Sequence, residues 1–470
     1  MVNNTKKRIT LFITSFLLAQ PFIDIFTSFA TRAGMNLTLG VILRTLFMVA
    51  LTLYVVFISK YEKKKYSLIY LFSVSGYVLI FLLYHFSKGG MATAFGNLPE
   101  LVKTFYFSYV LVGFYALYED YKYIVSDKVL SLITTTYMAV IFIAFITGTS
   151  FKAYKFGQGF VGWFYAANEI GAIIAILGPI TVYYFIKKLK PALTERNKLQ
   201  IFIYSLPLFF VAFCSVFIGT KTVFLAIFAY IILSLIMYTV SISKDTEKKE
   251  TLNAIITGIM CMFVVVSFVI SPLRANISGK TIIDWEKQVL PAPTTEPSTE
   301  PSTEPSKEPS EGNEEPEADQ SALYVFMNKI LSNRLTFAQS VDEAYNEAGI
   351  FAKLFGIGYI SHPDSKLNIT KSVEMDFFSV FYRHGVIGLI VYVLPLFAFF
   401  IYILIFVFKN LNKAYASWKL CTYLYSALVG LGIAFMAGHV LTAPAVSVYF
   451  PILFAKLLES KSELSPAQSD

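Results

Sequence analysis

Residues 385–408 read GVIGLIVYVLPLFAFFIYILIFVF, a run of 24 residues without a charged side chain. A helix needs about 20 apolar residues to cross the roughly 30 Å of hydrocarbon in a bilayer, so this run predicts a membrane-spanning helix. Comparable runs recur along the chain, near residues 9–30, 37–59, 66–86, 100–118, 125–148, 166–186, 200–218, 222–242, 252–272, 379–408, 420–440 and 444–457. They predict an all-α integral membrane protein with about 12 transmembrane helices.

The composition excludes a soluble domain. Hydrophobic residues make up 56% of the chain and charged residues 15%, whereas about a quarter of a globular chain is charged. The net charge of +8 does not indicate nucleic acid binding, because the cations occur in short clusters between apolar runs. Cys214, Cys261 and Cys421 all lie inside such runs, which predicts no disulfide framework.

The distribution of cations predicts the orientation. With the N-terminus inside, the cytoplasmic loops hold Lys60, Lys63, Lys64, Lys65, Lys187, Lys188, Lys190, Arg196, Lys198, Lys244, Lys248, Lys249, Lys409, Lys413 and Lys419. The short outer loops carry little beyond Arg32, Lys88, Lys152 and Lys155. This positive-inside pattern predicts a multi-pass plasma membrane protein with both termini cytoplasmic and residues 273–378 extracellular. Although Lys6, Lys7 and Arg8 precede the first apolar run, the later spans favour an uncleaved helix over a signal peptide.

Four segments follow from these assignments: spans 1–9 in residues 1–272, an extracellular entry and linker in 273–319, a structured extracellular loop in 320–378, and spans 10–12 with a short tail in 379–470. Residues 291–319, PAPTTEPSTEPSTEPSKEPSEGNEEPEAD, contain no apolar residue able to start a core. We interpret them as a disordered, extended spacer. A wall-spanning tether or a glycosylated stalk is the alternative interpretation.

The segment 320–378 has the pattern of a folded loop. Apolar residues recur at helical spacing in two stretches, at Leu323, Phe326, Ile330, Leu331 and Leu335 and then at Val341, Ala344, Tyr345 and Ala348. They predict two amphipathic helices, or one bent helix, on the outer membrane surface. The sequence GIGY at 356–359 predicts a glycine-rich turn before the chain re-enters the membrane.

Ionisable groups at membrane depth are costly and are therefore functional candidates. They are Asp24, Arg44, Glu169 with its polar neighbour Asn168, Lys221, Glu374, Asp376, Arg383 and His384, and most lie near the predicted outer face. Basic groups with a few carboxylates at that face suit an anionic headgroup such as a pyrophosphate. Two simpler interpretations remain. Arg383 and His384 are also consistent with side chains that snorkel to the membrane interface. Asp24 and Arg44 are also consistent with a structural ion pair.

Several motifs together carry a resemblance. They are QPFIDIFTS near the N-terminus, NEIG at Asn168, GTKTVF around Lys221, NRLTFAQSVDEAYNE beginning at 333, LFGIGY ending at 359 and YRHGVIG ending at 388. With the late outer loop, the chain resembles the O-antigen ligase and polysaccharide polymerase superfamily over its whole topology. Members of that superfamily are membrane enzymes that transfer glycans from polyprenyl-diphosphate carriers. The N-terminal motif is similar to versions found in Gram-positive bacteria.

One departure from the family pattern affects the chemistry. The ligases usually carry a histidine-asparagine pair just before the Gly-x-x-Gly helix entry, and here Glu374, Met375 and Asp376 hold that place. Either a carboxylate has taken the role of the base, or the chemistry relies on His362 or His384. A polymerase of capsular, exopolysaccharide or teichuronic-type repeats fits this departure better than a ligase to lipid A core.

The resemblance implies a reaction and a set of site residues. The expected donor is an oligosaccharide on undecaprenyl diphosphate, and the expected acceptor is a glycan hydroxyl at the outer face. The expected catalytic residues are Glu374, Asp376 and Arg334; the expected diphosphate ligands are Arg334, Lys221 and Arg383; the expected substrate contacts are His362, His384 and Asn168. Membrane lipids and other polysaccharide-assembly proteins are the expected remaining partners.

Neither a metal-ligand cluster nor a nucleotide-binding glycine loop is present in the sequence, so no cofactor and no nucleic acid partner are expected. A transporter or flippase of lipid-linked glycans is the competing function, since many transporters have twelve spans in two similar halves. No convincing repeat relates the two halves of this chain. A sensor would need a cytoplasmic output domain, for which the tail after Leu457 is short.

Overall fold

The computed structural model of the protein describes residues 2–35, 38–122, 125–153, 159–244, 249–274, 341–342, 345–346, 348–359, 374–411 and 417–464. Within these ranges the chain is mainly helical. The one β-type pairing among the described residues is an isolated antiparallel bridge between Lys152 and Phe160. The predicted all-α membrane fold is confirmed. The linker 291–319, the first predicted loop helix, Arg334 and His362 lie outside the described residues.

The described helices number thirteen, and we label them in chain order. They are α1 (Val2–Arg32), α2 (Leu39–Leu53), α3 (Lys64–Tyr121), α4 (Asp127–Ile146), α5 (Ala167–Thr194), α6 (Lys198–Phe217), α7 (Lys221–Lys244), α8 (Lys249–Phe268), α9 (Ile350–Phe355), α10 (Asp376–Lys409), α11 (Trp418–Met436), α12 (Pro444–Ser447) and α13 (Tyr449–Leu464). A π-helical turn, Tyr54–Ile58, continues α2.

Ten described helices are long and apolar enough to cross a membrane. The third of them, α3, has 58 residues and is broken at Gly89 and Gly90, where the φ of Gly90 is 68°. At 1.5 Å per residue a straight helix of that length would reach about 87 Å, so α3 is two crossings joined at its kink. All predicted spans fall on helices. The predicted span 444–457 is divided, however, into the short α12 and the 16-residue α13.

The central helix is α5. In an apolar 18-residue window of α5, 78% of the residues are buried inside the protein, whereas 22% are buried in the corresponding window of α10. Its packing depends on small residues, because a Cβ added at Gly171 would lie 2.9 Å from Val223 and one added at Gly178 would lie 2.6 Å from Ile227. Glycines at such positions let membrane helices approach closely, here α5 and α7. The starts of α5 and of its neighbours are thereby held together at one end of the bundle.

The opposite end carries a cluster of paired charges. Lys456 of α13, whose side chain is 4% exposed, lies 3.2 Å from Asp127 of α4 and 3.0 Å from Glu459. Lys419 of α11 forms ion pairs with Glu459 and Glu463. These pairs join three helices at the end that the positive-inside pattern predicts to be cytoplasmic.

Candidate functional site

A cavity of about 500 Å³ opens at the other end of the bundle. Its walls come from the end of α1, the start of α2, the second half of α3, the start of α5, the start of α10, the turn at 356–359 and the segment 439–445. The lining residues are Thr27, Thr38, Val41, Arg44, Thr45, Glu100, Val102, Lys103, Thr104, Tyr106, Glu169, Tyr359, Glu374, Asp376, Ser379, Arg383, His439, Thr442, Ala443, Pro444 and Ala445. This volume is within the range of small-molecule sites.

Three predicted site residues reach this cavity, namely Glu374, Asp376 and Arg383. Lys221, His384 and Asn168 are not in its lining, although Asn168 precedes Glu169, which is. Lys221 and Asn168 are half-buried at the starts of α7 and α5. The structure therefore brings together part of the predicted set.

Asp376 opens α10 and is 1% exposed. Its carboxylate accepts hydrogen bonds from the backbone N–H groups of His439 (2.9 Å), Val440 (2.9 Å) and Leu441 (2.7 Å). A fourth comes from the Thr442 hydroxyl at 2.6 Å. Two carboxylate oxygens offer about four acceptor sites. Asp376 thus fills its acceptor capacity by fixing the segment 439–442 to the start of α10.

The segment fixed by Asp376 has an unusual backbone. Gly438 and His439 are consecutive residues with positive φ, 69° and 59°. A Cβ at Gly438 would collide with the Glu374 carbonyl oxygen, so only glycine fits there. Successive N–H groups around a left-handed residue form a concave nest that binds anions, and here the anion is the carboxylate of Asp376. The left-handed conformation, rare for a residue with a side chain, places His439 in the cavity wall.

Arg383 is held by the glycine turn predicted at 356–359. Its Nη1 donates to the Gly358 carbonyl at 2.7 Å, and its guanidinium lies 5.6 Å from the centre of the Tyr359 ring. The residue is 6% exposed and lines the cavity. An arginine at the membrane interface that merely snorkels would have its head group in water. Arg383 instead has its head group in the protein beside the cavity.

The glycine turn and α10 are joined through their backbones. The Ile357 N–H donates to the Tyr382 carbonyl at 3.0 Å, and the Gly358 N–H donates to the Arg383 carbonyl at 3.1 Å. These carbonyls are available because α10 is broken at Gly385, whose φ is 68°. A Cβ at Gly385 would lie 2.5 Å from the backbone of Leu354. The break in α10 therefore receives the turn, and the turn positions Arg383 and Tyr359.

His384 lies behind the cavity wall. It is 0% exposed, its ring packs among Tyr77, Phe81 and Phe105, and its Nε2 lies 2.8 Å from the Tyr359 hydroxyl. Burial raises the pKa of that hydroxyl above its usual range, so Tyr359 stays protonated at neutral pH. His384 supports the cavity wall through Tyr359, and its ring does not reach the lining.

Arg44 and Asp24 form an ion pair, as the structural interpretation of these two residues predicted. Arg44 also donates from Nε to Gln20 at 3.0 Å, and Asp24 accepts from the Tyr137 hydroxyl at 2.5 Å. Arg44 is nevertheless part of the cavity lining, whereas Asp24 is behind it. A neutralised cation thus forms part of one wall.

The sequence motifs did not identify Glu100, Lys103 or His439 as site residues. Glu100 and Lys103 are an ion pair of 2.6 Å one turn apart at the start of the second half of α3. The three-residue spacing of these opposite charges at the start of the predicted span 100–118 is the sequence feature that could have identified them. His439 was placed at the end of the predicted span 420–440, and its Gly-His sequence gave only a weak signal of a turn.

The sequence model of a family described as O-antigen ligase like membrane protein matches residues 6–462, nearly the whole chain. The match includes every element that contributes to the cavity. No curated protein matches the sequence.

Proposed function

Because this chain belongs to the O-antigen ligase-like membrane proteins, we propose that it transfers an oligosaccharide from undecaprenyl diphosphate to a sugar hydroxyl at the outer face of the plasma membrane. The family membership implies a membrane glycan ligase or polymerase; the carrier, the acceptor and the polymerase role are our proposal. The observation that carries it is the cavity, because cations and carboxylates line it together at helix ends that the positive-inside pattern places outside.

On the donor side, Arg383 is the diphosphate ligand that the cavity supports best. One of its N–H groups binds Gly358, and a guanidinium has five donors in a planar fork that matches phosphate oxygens. As the bond between the sugar C1 and the diphosphate oxygen breaks, its electron pair leaves with the diphosphate. Fixed donors that face this growing charge lower the barrier. Arg334, which lies outside the described residues, is the second cation that we assign to the diphosphate.

On the acceptor side, Glu374 is the proposed base. It lies in the cavity wall, two residues before Asp376, whose four hydrogen bonds leave it no capacity to accept a proton from a substrate. The attacking hydroxyl oxygen forms the new bond to C1, and its proton passes to the Glu374 carboxylate. A positioned base of this kind typically contributes about 10²–10⁴-fold to a rate.

The proposal is tested with the full chain in lipid nanodiscs, supplied only with lipid-linked repeats extracted from the producing strain. A polymerase yields longer lipid-linked glycans and releases one undecaprenyl diphosphate for each repeat that it joins. Arg334→Ala should abolish long product in cells, while single repeats accumulate on the outer leaflet. Arg334→Lys should restore it only in part, since an ammonium lacks the bidentate geometry of the guanidinium.

Two results would contradict this function. The transferase proposal fails if the wild-type protein, incorporated into the nanodiscs, produces no elongated glycan and transfers nothing to an added glycan acceptor. If repeats accumulate on the inner leaflet of the Arg334→Ala strain, transport of lipid-linked glycans replaces it.

A further inference from the structure

Tyr359, the last residue of the glycine turn, is held at its backbone and at its hydroxyl. Its backbone N–H donates to Oδ1 of Asn97, a fully buried side chain in the second half of α3, at 2.6 Å. Its hydroxyl lies 2.7 Å from Oγ1 of Thr104 and 2.8 Å from Nε2 of His384. A phenolic hydroxyl both donates and accepts, so it can bond to both neighbours at once. The Tyr359 ring therefore has a fixed position in the cavity wall.

The orientation of the Arg383 guanidinium depends on the same turn. Gly358 accepts a hydrogen bond from its Nη1 at 2.7 Å, and the centre of the Tyr359 ring lies 5.6 Å from its Cζ. A cation within about 6 Å of a ring centre is attracted to the aromatic face. Because a guanidinium binds phosphate oxygens through parallel N–H groups in one plane, the direction of that plane decides how well it binds. A fixed Tyr359 ring thus helps to fix the plane of Arg383.

His384 follows Arg383 in the sequence, but its side chain lies in the protein core. It is 0% exposed and is not in the cavity lining, so its imidazole does not reach a sugar hydroxyl in the cavity. The Tyr77 hydroxyl donates to the His384 carbonyl at 2.7 Å, and the centre of the Phe81 ring lies 5.0 Å from that of the imidazole. These contacts hold the imidazole in place, with its Nε2 beside the Tyr359 hydroxyl. The route from His384 to the cavity is therefore through Tyr359.

We infer that Tyr359 and His384 are positioning residues for diphosphate binding. In this arrangement His384 and Thr104 hold the Tyr359 hydroxyl, the Tyr359 ring directs the Arg383 guanidinium, and the guanidinium binds the diphosphate of the donor. The inference rests on the proposed glycan-transfer function and deepens it, because it gives His384 a role other than that of the base. The Tyr359 hydroxyl then affects the affinity for a diphosphate through Arg383.

The test is equilibrium binding of geranyl diphosphate, a short-chain prenyl diphosphate, to the full chain in nanodiscs. Isothermal titration calorimetry measures the affinity, and empty nanodiscs give the background. Tyr359→Phe keeps the ring and removes the hydroxyl. We expect it to weaken binding about tenfold, the loss that follows when one hydrogen bond to a charged group is no longer well directed. The matched control is Tyr109→Phe, which removes a hydroxyl 2.7 Å from Ser75 outside the cavity lining and should leave the affinity unaltered.

Substitutions of His384 separate positioning from proton transfer. His384→Leu should weaken binding as much as Tyr359→Phe does, and the double variant should bind no more weakly than either, because both changes remove the same hydrogen bond. His384→Gln should restore most of the affinity, since an amide can replace Nε2 as the partner of the hydroxyl. The amide does not titrate, so the pH profile of glycan transfer should keep its wild-type shape in His384→Gln, which would not hold for a base.

A second background tests whether the effect passes through Arg383. In Arg383→Lys protein, Tyr359→Phe should weaken binding by less than about twofold, because an ammonium has no plane to be directed. Abundance and melting temperature are measured for every variant, and affinities are compared at equal amounts of folded protein.

Four results would overturn the inference. They are wild-type affinity in Tyr359→Phe, the same loss in the Arg383→Lys background as in the wild type, no recovery in His384→Gln relative to His384→Leu, and no binding of geranyl diphosphate to the wild-type protein. The proposed function fails by a different result, namely the absence of glycan transfer by the wild-type protein in nanodiscs, which the differences in affinity between variants do not determine.

Discussion

At the scale of single residues, Glu374 and Asp376 are two positions apart in sequence and have different surroundings. Both were candidates for the base on the basis of charge at membrane depth. The carboxylate of Asp376 is saturated by three backbone N–H groups and a hydroxyl, which makes it the anchor of the segment 439–442. Glu374 lines the cavity ahead of the helix. Substitution to the amide separates these two roles.

We expect Glu374→Gln to lower the rate of glycan transfer by about 100-fold or more at normal protein abundance, because the base is lost. Asp376→Asn should instead lower stability, since the amide N–H₂ faces N–H donors in a buried site; a cost of about 1–3 kcal/mol is typical. Transfer rates and thermal unfolding in detergent are measured on the same preparations. An Asp376→Asn protein with wild-type stability and no activity would show that Asp376, and not Glu374, takes the proton.

At the scale of elements, the decisive feature is the joint between α10 and the glycine turn. Gly356, Gly358 and Gly385 all have positive φ, and the backbones on either side of the joint are in direct contact. The break in α10 exposes the carbonyls of Tyr382 and Arg383, and the turn satisfies them. A side chain at Gly385 would meet both a strained conformation and the backbone of Leu354.

Gly385→Ala should therefore release the turn, and with it Arg383 and Tyr359. We expect glycan transfer to be abolished and the melting temperature to fall, because a positive φ costs about 1–2 kcal/mol for a residue with a Cβ, even before the clash is counted. Gly432→Ala in α11 is the matched control, since an added Cβ there meets nothing within 4 Å. It should be neutral or slightly stabilising, as alanine is preferred in helices. Wild-type activity in Gly385→Ala would argue against a role for the joint.

At the scale of the whole molecule, the two ends of the bundle have different chemistry. One end holds the open cavity, and the other holds the charge cluster around Lys456, in which each described ion is paired. The positive-inside pattern predicts that the cavity lies outside the cell and the cluster inside. In the function that we propose, this predicted orientation lets the cavity meet a lipid-linked glycan on the outer leaflet.

Single cysteines test the orientation directly. Glu300→Cys and Ser365→Cys should react with a membrane-impermeant thiol reagent in intact cells, and Thr246→Cys should not. The unmodified protein serves as the background, because its three cysteines lie in spanning helices. Labelling of Thr246→Cys in sealed cells would reverse the orientation and place the cavity on the cytoplasmic side.

The features that depend on local composition can be predicted from the amino-acid sequence alone. Apolar length predicts where the chain crosses the membrane, and the glycines of GIGY predict a turn; the structure has helices at the predicted spans and the turn at 356–359. The cation clusters predict the direction of the chain, which stays a prediction. The ion pair of Asp24 with Arg44 was also predictable, because an unpaired charge at that depth is too costly. The motif resemblance by itself indicates the family to which the chain belongs.

Which charges share the cavity depends on tertiary packing. Glu100 lies in α3 and His439 in the segment between α11 and α12, and their meeting with Glu374 at one cavity depends on how the helices pack, which no local pattern encodes. The tertiary structure also separated Asp376 from Glu374, since a carboxylate's role depends on whether backbone donors already fill it. Hydropathy acts over one segment, whereas the assembly of a site requires contacts between residues hundreds of positions apart.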